Sequence, residues 1–276
     1  MKLDYHIHTD YSDDSWYPME KVVKDAINLG LKEICFTDHV DYGVKLDWTD
    51  KGTPKIHKGK EIRNVNYEKY FAEIEDLQIK YYNKINIKSG LEFGVQGHTI
   101  DKYEKLVGKY PMDFILLSIH QVRDMEFWTG EFQKGKTDEE CYDEYYGEMF
   151  KVVENFKGYS CLAHMDLIRR YLDKEVDMFN YNRDIIKKIL ETVIRDGKGL
   201  EFNTSNVRYK VNGLTPSIKI LELYRDLGGE IITIGSDSHK EEDLGFGVDK
   251  AKETLREIGF RYFSTFNKMN PKFHKL

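Results

Sequence analysis

Seven short apolar runs alternate along the chain with segments in which apolar residues recur at helical spacing. The runs are LDYHIH, KEICFTDH, INIKSGLE, DFILLSIH, SCLAH, GLEFNTS and EIITIGSDSH. Short continuous apolar runs are typical of strands buried on both faces. Strand–helix alternation predicts a parallel sheet with right-handed crossovers. We therefore expect an α/β barrel of about seven strands, with a doubly wound open sheet as the structural alternative.

Helical spacing predicts one helix after each run. The first begins near Pro18, with Met19, Val22 and Ala26 on one face, and ends near Gly30. The others are expected at residues 67–82, 100–108, 138–156, around 185–194, from about 216, and at 249–258. A chain of 276 residues with this regularity is expected to form a single domain over residues 1–276.

Two segments interrupt the alternation at ligand-bearing strand ends. Residues 40–66 are rich in lysine and glycine and contain Trp48, and residues 121–137 contain Phe127, Trp128 and Phe132. Long loops in compact domains are usually functional or disordered. The aromatic content favours lids or substrate walls over the site.

Composition narrows the class of protein. A net charge of −6 argues against bulk binding of nucleic acid or anionic membranes, and the apolar runs are too short to span a bilayer. The N-terminus lacks a signal-peptide layout. Cys35, Cys141 and Cys161 form no CxxC pair, so we expect buried thiols and a reducing cytoplasm.

Histidines and carboxylates are concentrated at the carboxyl ends of the predicted strands. Those ends meet at one face of an α/β fold, where active sites form. Imidazoles and carboxylates without thiolates favour Zn²⁺, Mn²⁺ or Fe²⁺. A single histidine or aspartate at such a position is more often a cap or a satisfied polar residue, but six histidines at five strand ends require a shared cause. The sequence predicts a polynuclear metal site from His6, His8, Asp38, His39, Glu92, His120, His164, Asp237 and His239.

Some members of this set have alternative roles. Asp38 is either a ligand or a residue that orients one. Asp13 and Asp14 either cap the first helix or reach the metals, and Asp14 is favoured. The remaining histidines, His57, His98 and His274, are expected to be solvated.

The ordered motifs HIHTDYSDDS, FTDH, Glu92, LLSIHQV, AHMDLIRRY, FNTSNVRY and GSDSH resemble the PHP (polymerase and histidinol phosphatase) superfamily. Within it the chain is similar to the monofunctional histidinol-phosphate phosphatases, over residues 2–247. The resemblance implies a distorted (β/α)7 barrel with three divalent ions at the carboxyl ends of the strands.

The resemblance also implies a division of the ligands. His6, His8, Glu92 and Asp237 would bind one ion, Glu92 would bridge to a second held by His120 and His164, and His39 and His239 would bind a third. Some relatives have histidine at the first-loop position where this chain places Asp14. Two to three ions are therefore expected.

Segments typical of the phosphatase branch place Arg170 (or Arg169) and Arg208 near the metals, where a guanidinium binds phosphate oxygens. The alternative is a surface or capping arginine. We expect attack on phosphorus by a metal-bound hydroxide, with Glu92, Asp237, His239 and Asp38 as catalytic residues. Metal-bound water, Asp38 or His239 would protonate the leaving group.

The expected substrate is a small phosphate monoester, L-histidinol phosphate, used in histidine biosynthesis. Its imidazole and ammonium need acidic and aromatic groups, for which Tyr42, Trp48, Phe127, Trp128 and Glu131 lie on suitable loops. The alternatives are a nucleotide phosphatase or phosphodiesterase/nuclease of the PHP type, and a non-catalytic metal-stabilised module. No nucleic-acid or membrane partner is expected, and the chain is expected to be a monomer or small homo-oligomer.

Overall fold

The computed structural model describes residues 1–172, 178–209 and 214–276. Its strands are β1 (Leu3–Ile7), β2 (Glu33–Phe36), β3 (His39–Val40), β4 (Ile56–His57), β5 (Lys60–Glu61), β6 (Asn86–Gly94), β7 (Phe114–Ser118), β8 (Gln121–Val122), β9 (Met125–Glu126), β10 (Cys161–Leu162), β11 (Gly199–Asn203), β12 (Ile232–Gly235), β13 (Tyr262–Asn267) and β14 (Asn270–Lys275). Its α-helices are α1 (Met19–Asn28), α2 (Tyr67–Lys80), α3 (Ile100–Leu106), α4 (Asp138–Asn155), α5 (Phe179–Arg195), α6 (Ile218–Asp226) and α7 (Val248–Ile258).

Parallel strands form a nearly closed barrel in the order β1-β2-β6-β7-β10-β11-β12, and β3 pairs with β6 beyond the end of β2. The last strand returns to the first through a parallel bridge between Ile7 and Ser238, flanked by hydrogen bonds between Asp4 and Ser236. The predicted seven-stranded α/β barrel is confirmed, and the open-sheet alternative is wrong.

Burial explains why these segments become strands and helices. All five residues of β1, β7 and β11 are buried, as expected for strands covered on one face by helices and on the other by the barrel interior. Helix α1 buries Met19, Val22, Val23 and Ala26, which is the face predicted from their spacing. None of the helices within the described ranges is long and apolar enough to cross a membrane.

The predicted strand KEICFTDH is divided into β2 and β3, and the side chains of the two residues between them bond to the first strand and the loop after it. Thr37 Oγ1 accepts a hydrogen bond from the Ile7 amide at 3.0 Å, and Asp38 accepts one from the Thr9 amide at 2.7 Å. The division turns His39 towards β6, where it pairs with Glu92.

The sequence did not predict the antiparallel hairpin formed by β13 and β14. Its Phe266 packs against Phe114, the first residue of β7, at 5.0 Å between ring centroids, so the hairpin covers the amino end of the barrel. The expectation that His274 is solvated is wrong, because its ring stacks on Phe263 at 5.1 Å and its Nε2 lies 2.8 Å from Thr265 Oγ1.

Candidate metal centre and substrate cavity

The histidines and carboxylates predicted from strand ends converge at the carboxyl end of the barrel. They lie in, or within a few residues after, β1, β3, β6, β7, β10 and β12, which the parallel ladder aligns. Four sets of ligand atoms lie within 4.8 Å of one another, namely His6–His8–Asp237, His6–Glu92–His164, His8–His39–His239 and His39–Asp41–His120. His6, His8 and His39 each belong to two sets, so the four groups form one continuous cluster.

Glu92 lies at the centre of this cluster and is 1% exposed. Its Oε1 lies 2.7 Å from His164 Nε2 and 3.2 Å from His120 Nε2. Its Oε2 lies 3.0 Å from His39 Nδ1 and 3.3 Å from His6 Nε2. Because the two oxygens face different imidazoles, this carboxylate has the arrangement of a bridging ligand.

Several nitrogens in the cluster are buried without a hydrogen-bond partner among the described residues, including Nε2 of His6 and His8 and Nδ1 of His39. Buried polar atoms are rarely left unsatisfied. Unpaired imidazole nitrogens that converge with carboxylates are the donor set of a borderline divalent cation such as zinc. The residues present therefore fit divalent metal ions.

Opposite charges dominate the electrostatics of the cluster. Burial lowers the pKa of His6, but the carboxylates of Glu201, Glu92 and Asp237 outweigh it and raise that pKa well above its usual value. Burial likewise raises the pKa of Glu92, yet the neighbouring imidazoles hold it well below the usual range. His8 differs, because burial and the nearby histidines both lower its pKa. The cluster therefore favours ionised carboxylates, which attract cations.

Asp14 faces the histidines of the third group, whereas Asp13 does not. Asp14 Oδ2 lies 3.1 Å from His239 Nε2 and 3.5 Å from His39 Nε2. Asp13 Oδ1 instead accepts a hydrogen bond from Lys45 Nζ at 2.5 Å. Asp14, rather than Asp13, is therefore the first-loop carboxylate that faces His39 and His239.

Asp38 supports the first loop from behind the cluster. Its oxygens accept hydrogen bonds from Thr9, and from Ser12 Oγ at 2.6 Å. Ser12 Oγ in turn lies 3.3 Å from His8 Nδ1. Burial raises the pKa of Asp38, and the Ser12 and Thr9 hydrogen bonds oppose the rise. Since both oxygens are engaged away from the cavity, the structure favours the orienting role of Asp38 over proton donation.

Glu201, in the run GLEFNTS, was not predicted to take part in the centre. Glu201, on β11, lies with Oε1 at 2.5 Å from His6 Nδ1, and its Oε2 accepts a hydrogen bond from the His164 amide at 3.0 Å. The sequence carried one signal for this role, a glutamate inside a strand predicted to be buried. Residues i and i+2 of a strand share a face, so Glu201 points to the same side of the sheet as Asn203.

Asp41 was also missed, and it orients His120. Asp41 Oδ1 lies 2.9 Å from His120 Nδ1. Burial lowers the pKa of His120, but Glu92 and Asp41 outweigh it and raise it to about 9. A Cβ at Gly94 would lie 1.9 Å from Asp41 Oδ1, so this position requires glycine for Asp41 to reach the histidine.

Two residues of the cluster have strained backbones. Asp237 has φ of 57° and His164 has φ of 22°, a region that residues other than glycine seldom adopt. Strain of this kind persists where surrounding contacts impose it, and it is common at functional sites. Here it turns both side chains towards Glu92 and His6.

Arg170 points towards the cluster and Arg169 points away from it. Arg170 lines the cavity, and its Nη1 lies 3.6 Å from Asp237 Oδ2. Its Nε donates to Asn206 Oδ1 at 2.9 Å, which fixes the guanidinium plane. Arg169 donates instead to Asp166 Oδ2 at 3.0 Å.

Arg208, in the loop after β11, approaches Asp237 from another direction. Its Nη2 donates to the Asp237 carbonyl at 2.8 Å, and its Nε lies 3.3 Å from Asp243 Oδ1. Its Nη1 is buried without a hydrogen-bond partner in the described part of the chain. Unlike Arg170, Arg208 is not among the residues that line the cavity.

A cavity of about 350 Å³ opens over the cluster. It is lined by Asp13, Asp14, His39, Asp41, Lys45, His57, Glu92, His120, Gln121, Glu126, Trp128, His164, Leu167, Arg170, Tyr171, Tyr209, Asp237 and His239. His57 packs edge-on against Trp128 at 5.2 Å between ring centroids, so the expectation that His57 is solvated is wrong. His98 is exposed and lies 3.0 Å from Asp124.

Of the five residues expected to line the substrate pocket, Trp128 alone does so. Phe127 is 2% exposed in the core, and Tyr42 contacts Asp47 and Tyr67 behind the wall. Trp48 and Glu131 also lie outside the cavity lining. Within residues 121–137, the acidic residue that lines the cavity is Glu126, which is 7% exposed and accepts a hydrogen bond from Trp128 Nε1 at 3.0 Å.

The PHP domain family model matches residues 4–205. This chain therefore belongs to the PHP domain family, and the resemblance inferred from its motifs is confirmed.

Relatives within the family share most of the chain. The chain is 34% identical to the histidinol-phosphatase of Lactococcus lactis, over 97% of this chain and 95% of the relative. It is 27% identical to a probable histidinol-phosphatase of Thermotoga maritima, over 96% of each. The crystal structure of the Lactococcus lactis histidinol phosphate phosphatase, complexed with zinc, L-histidinol and phosphate, is similar with a TM-score of 0.86, at 33% identity and 98% coverage of both chains.

Proposed function

We propose that this protein is a metal-dependent phosphomonoesterase that hydrolyses L-histidinol phosphate to L-histidinol and phosphate in histidine biosynthesis. The observation that carries the proposal is the position of Arg170, whose guanidinium lines the same cavity as Glu92, Asp237 and His239. A guanidinium beside a cluster of metal-type ligands is suited to a phosphate ester. The names of the Lactococcus and Thermotoga relatives support the same activity.

Two to three divalent ions are proposed. The first ion would be held by His6, His8, Glu92 and Asp237. The second would be held by Glu92, His120 and His164, and the third by Asp14, His39 and His239. Zinc is the first choice because the Lactococcus structure contains it, and manganese or iron are alternatives. Such ions would supply Lewis acidity and lower the pKa of a bound water.

The protein's own residues would bind the phosphate and manage the leaving group. Arg170 and the unpaired Nη1 of Arg208 would neutralise phosphate oxygens, which gain charge during transfer. His239 lines the cavity, and its Nε2 lies close to Asp14. With two ions bound, His239 is better placed than Asp38 to hand a proton to the departing alkoxide; with the third ion bound, its Nε2 would be a ligand and could not donate.

The outer part of the cavity suits a cationic alcohol. Glu126 is largely desolvated, and its only charged neighbour within 4 Å among the described residues is Lys55, at 3.8 Å. Burial raises its pKa, and the Trp128 hydrogen bond opposes the rise. Trp128, Tyr171 and His57 line the same cavity as this carboxylate, and aromatic faces attract imidazoles and ammonium groups.

The remaining expectations are part of the proposal. The whole chain would work as one domain, because Asp237 and His239 come from beyond the range that the family model matches. A cytoplasmic location is proposed because Cys35, Cys141 and Cys161 are free and buried. The net charge of −6 supports the absence of a nucleic-acid partner, and a monomer or small homo-oligomer is proposed.

The test is a steady-state phosphatase assay of protein loaded with zinc or manganese, with metal content measured on the same sample. Histidinol phosphate, nucleoside monophosphates and a phosphodiester would be compared at equal concentration. We expect kcat/KM to be highest for histidinol phosphate. Preference for a nucleotide or phosphodiester would replace the proposal with the PHP nucleotide phosphatase or nuclease alternative. No turnover would favour a non-catalytic module.

A further inference from the structure

The first loop, residues 9–17, carries Asp14 towards His39 and His239, and one lysine from outside the loop holds its main chain. Lys60 Nζ donates hydrogen bonds to the carbonyl of Asp10 at 2.8 Å, to that of Ser15 at 2.9 Å, and to that of Ser12. An ammonium has three N–H donors. All three are directed to carbonyls on both sides of Asp14.

Lys60 makes no ion pair with a carboxylate among residues 1–172, 178–209 and 214–276, which distinguishes it from Lys45. Lys45 Nζ lies 2.5 Å from Asp13 and 2.9 Å from Asp41. Lys60 is half-buried, and burial lowers its pKa. Its other neighbour is the Trp16 ring of the same loop, 5.6 Å from Nζ. A half-buried ammonium bonded to three carbonyls acts on the shape of the main chain rather than on a neighbouring charge.

The element that carries Lys60 also forms part of the cavity wall. Strands β4 and β5 make an antiparallel hairpin, and the Ile62 amide bonds to the Lys55 carbonyl at 2.8 Å. His57 on this hairpin lines the cavity and contacts Trp128. The segment expected to act as a substrate wall is thereby fastened to the first loop.

We propose that Lys60 is a positioning residue for the metal group that contains Asp14. By fixing the carbonyls on either side, it sets where the Asp14 carboxylate meets His39 and His239. The inference rests on the proposed role of Asp14 as a metal ligand, but it is independent of which alcohol the enzyme releases.

The experiment measures zinc content after dialysis and zinc affinity by calorimetry for wild type, Lys60→Met and Lys60→Arg. Lys58→Met is the matched control, because Lys58 is exposed on the turn of the same hairpin. Changes in groups that orient metal ligands typically weaken metal affinity by about 10- to 100-fold. We expect Lys60→Met to weaken the affinity for the ion held by Asp14, His39 and His239 by this factor. The affinities for the other ions should be unchanged.

Hydrogen exchange over residues 10–17 gives a second readout. We expect faster exchange there in Lys60→Met. Lys60→Arg should recover both the zinc affinity and the protection from exchange, and Lys58→Met should give wild-type values. Asp14→Asn separates the two proposals. If Asp14→Asn loses one ion while Lys60→Met binds zinc like wild type, the positioning role is overturned and the metal site stands. If Asp14→Asn loses none, both are overturned.

Discussion

Glu201 and His6 form a buried pair, with a carboxylate oxygen 2.5 Å from Nδ1 of the imidazole. The pair fixes which face of the ring His6 presents to Glu92. The other Glu201 oxygen holds the His164 amide, so one carboxylate orients two of the proposed ligands.

Replacing Glu201 with glutamine removes the charge that raises the pKa of His6 and weakens the pair. We expect zinc affinity to fall by about 10- to 100-fold, the usual effect of changing a group that orients a ligand. Calorimetric titration of the metal-free protein measures it. Glu33→Gln is the control, since Glu33 contacts Tyr5 and Asn86 on β1 and β6 rather than the cluster. Equal affinities in all three proteins would contradict the orienting role.

Glu92→Gln should nearly abolish turnover and lower the bound metal, because an amide offers one weak oxygen ligand where the carboxylate offers two. Phosphatase assay and elemental analysis of the same preparation test this. Ser118→Ala removes only the hydrogen bond that Ser118 Oγ donates to Glu92 at 2.6 Å and should cost much less activity. Wild-type turnover in Glu92→Gln would exclude the proposed metal centre.

Arg170→Met should lower kcat/KM by about 10²- to 10³-fold, the usual effect of removing one donor that stabilises developing charge. Inhibition by inorganic phosphate should weaken in parallel, while zinc content stays at the wild-type value. Arg208→Met is expected to behave alike. Arg169→Met should retain phosphate inhibition, because Arg169 is engaged with Asp166. A larger effect in Arg169→Met than in Arg170→Met would reverse the assignment.

Glu126→Gln should impair histidinol phosphate selectively. A charged hydrogen bond contributes about 1.5–3 kcal/mol, so kcat/KM for the cationic substrate should fall by roughly 10- to 100-fold. Activity on the phosphate monoester of an uncharged alcohol, such as phenyl phosphate, should change little. Glu131→Gln provides the control, since Glu131 is exposed outside the cavity lining. Equal losses on both substrates would show that Glu126 does not contact the alcohol.

Removing metal should destabilise the fold as well as stop catalysis. Ligand excess of a hundredfold over Kd stabilises a protein by about 2.7 kcal/mol, which for this size corresponds to several degrees in Tm. We expect a chelator to lower Tm and zinc to restore it, as followed by scanning calorimetry. In Asp14→Asn the shift should be smaller. An unchanged Tm would mean that the cluster holds no tightly bound ion.

The sequence predicted the barrel and the positions of the ligands because both depend on local pattern. Apolar runs with a histidine or carboxylate at the end place that side chain at one face of the barrel, whatever the details of packing. Glu201 and Asp41 were missed because their roles depend on contacts between strands that are distant in sequence. Glu201 on β11 reaches His6 on β1 only once the barrel has closed. Asp41 reaches His120 only because Gly94 lacks a side chain.

Loop residues were predicted less well for a related reason. Composition identified residues 40–66 and 121–137 as walls of the site, yet which side chains enter the cavity depends on short hairpins that the pattern did not indicate. The β8–β9 hairpin turns Glu126 and Trp128 inward and places Phe127 in the core. The predicted Glu131 was on the correct segment but lies on its exposed side.

Barrel closure between β1 and β12 depends on few backbone contacts: the Ile7–Ser238 bridge is flanked by His6 and His8 on one strand and by Asp237 and His239 on the other. An ion bound by His6, His8 and Asp237 would connect the two edges of the sheet, β1 and β12. Metal uptake and completion of the barrel would then be one event. A metal-free chain would begin to unfold where β1 meets β12, before the strands on the opposite side of the barrel separate.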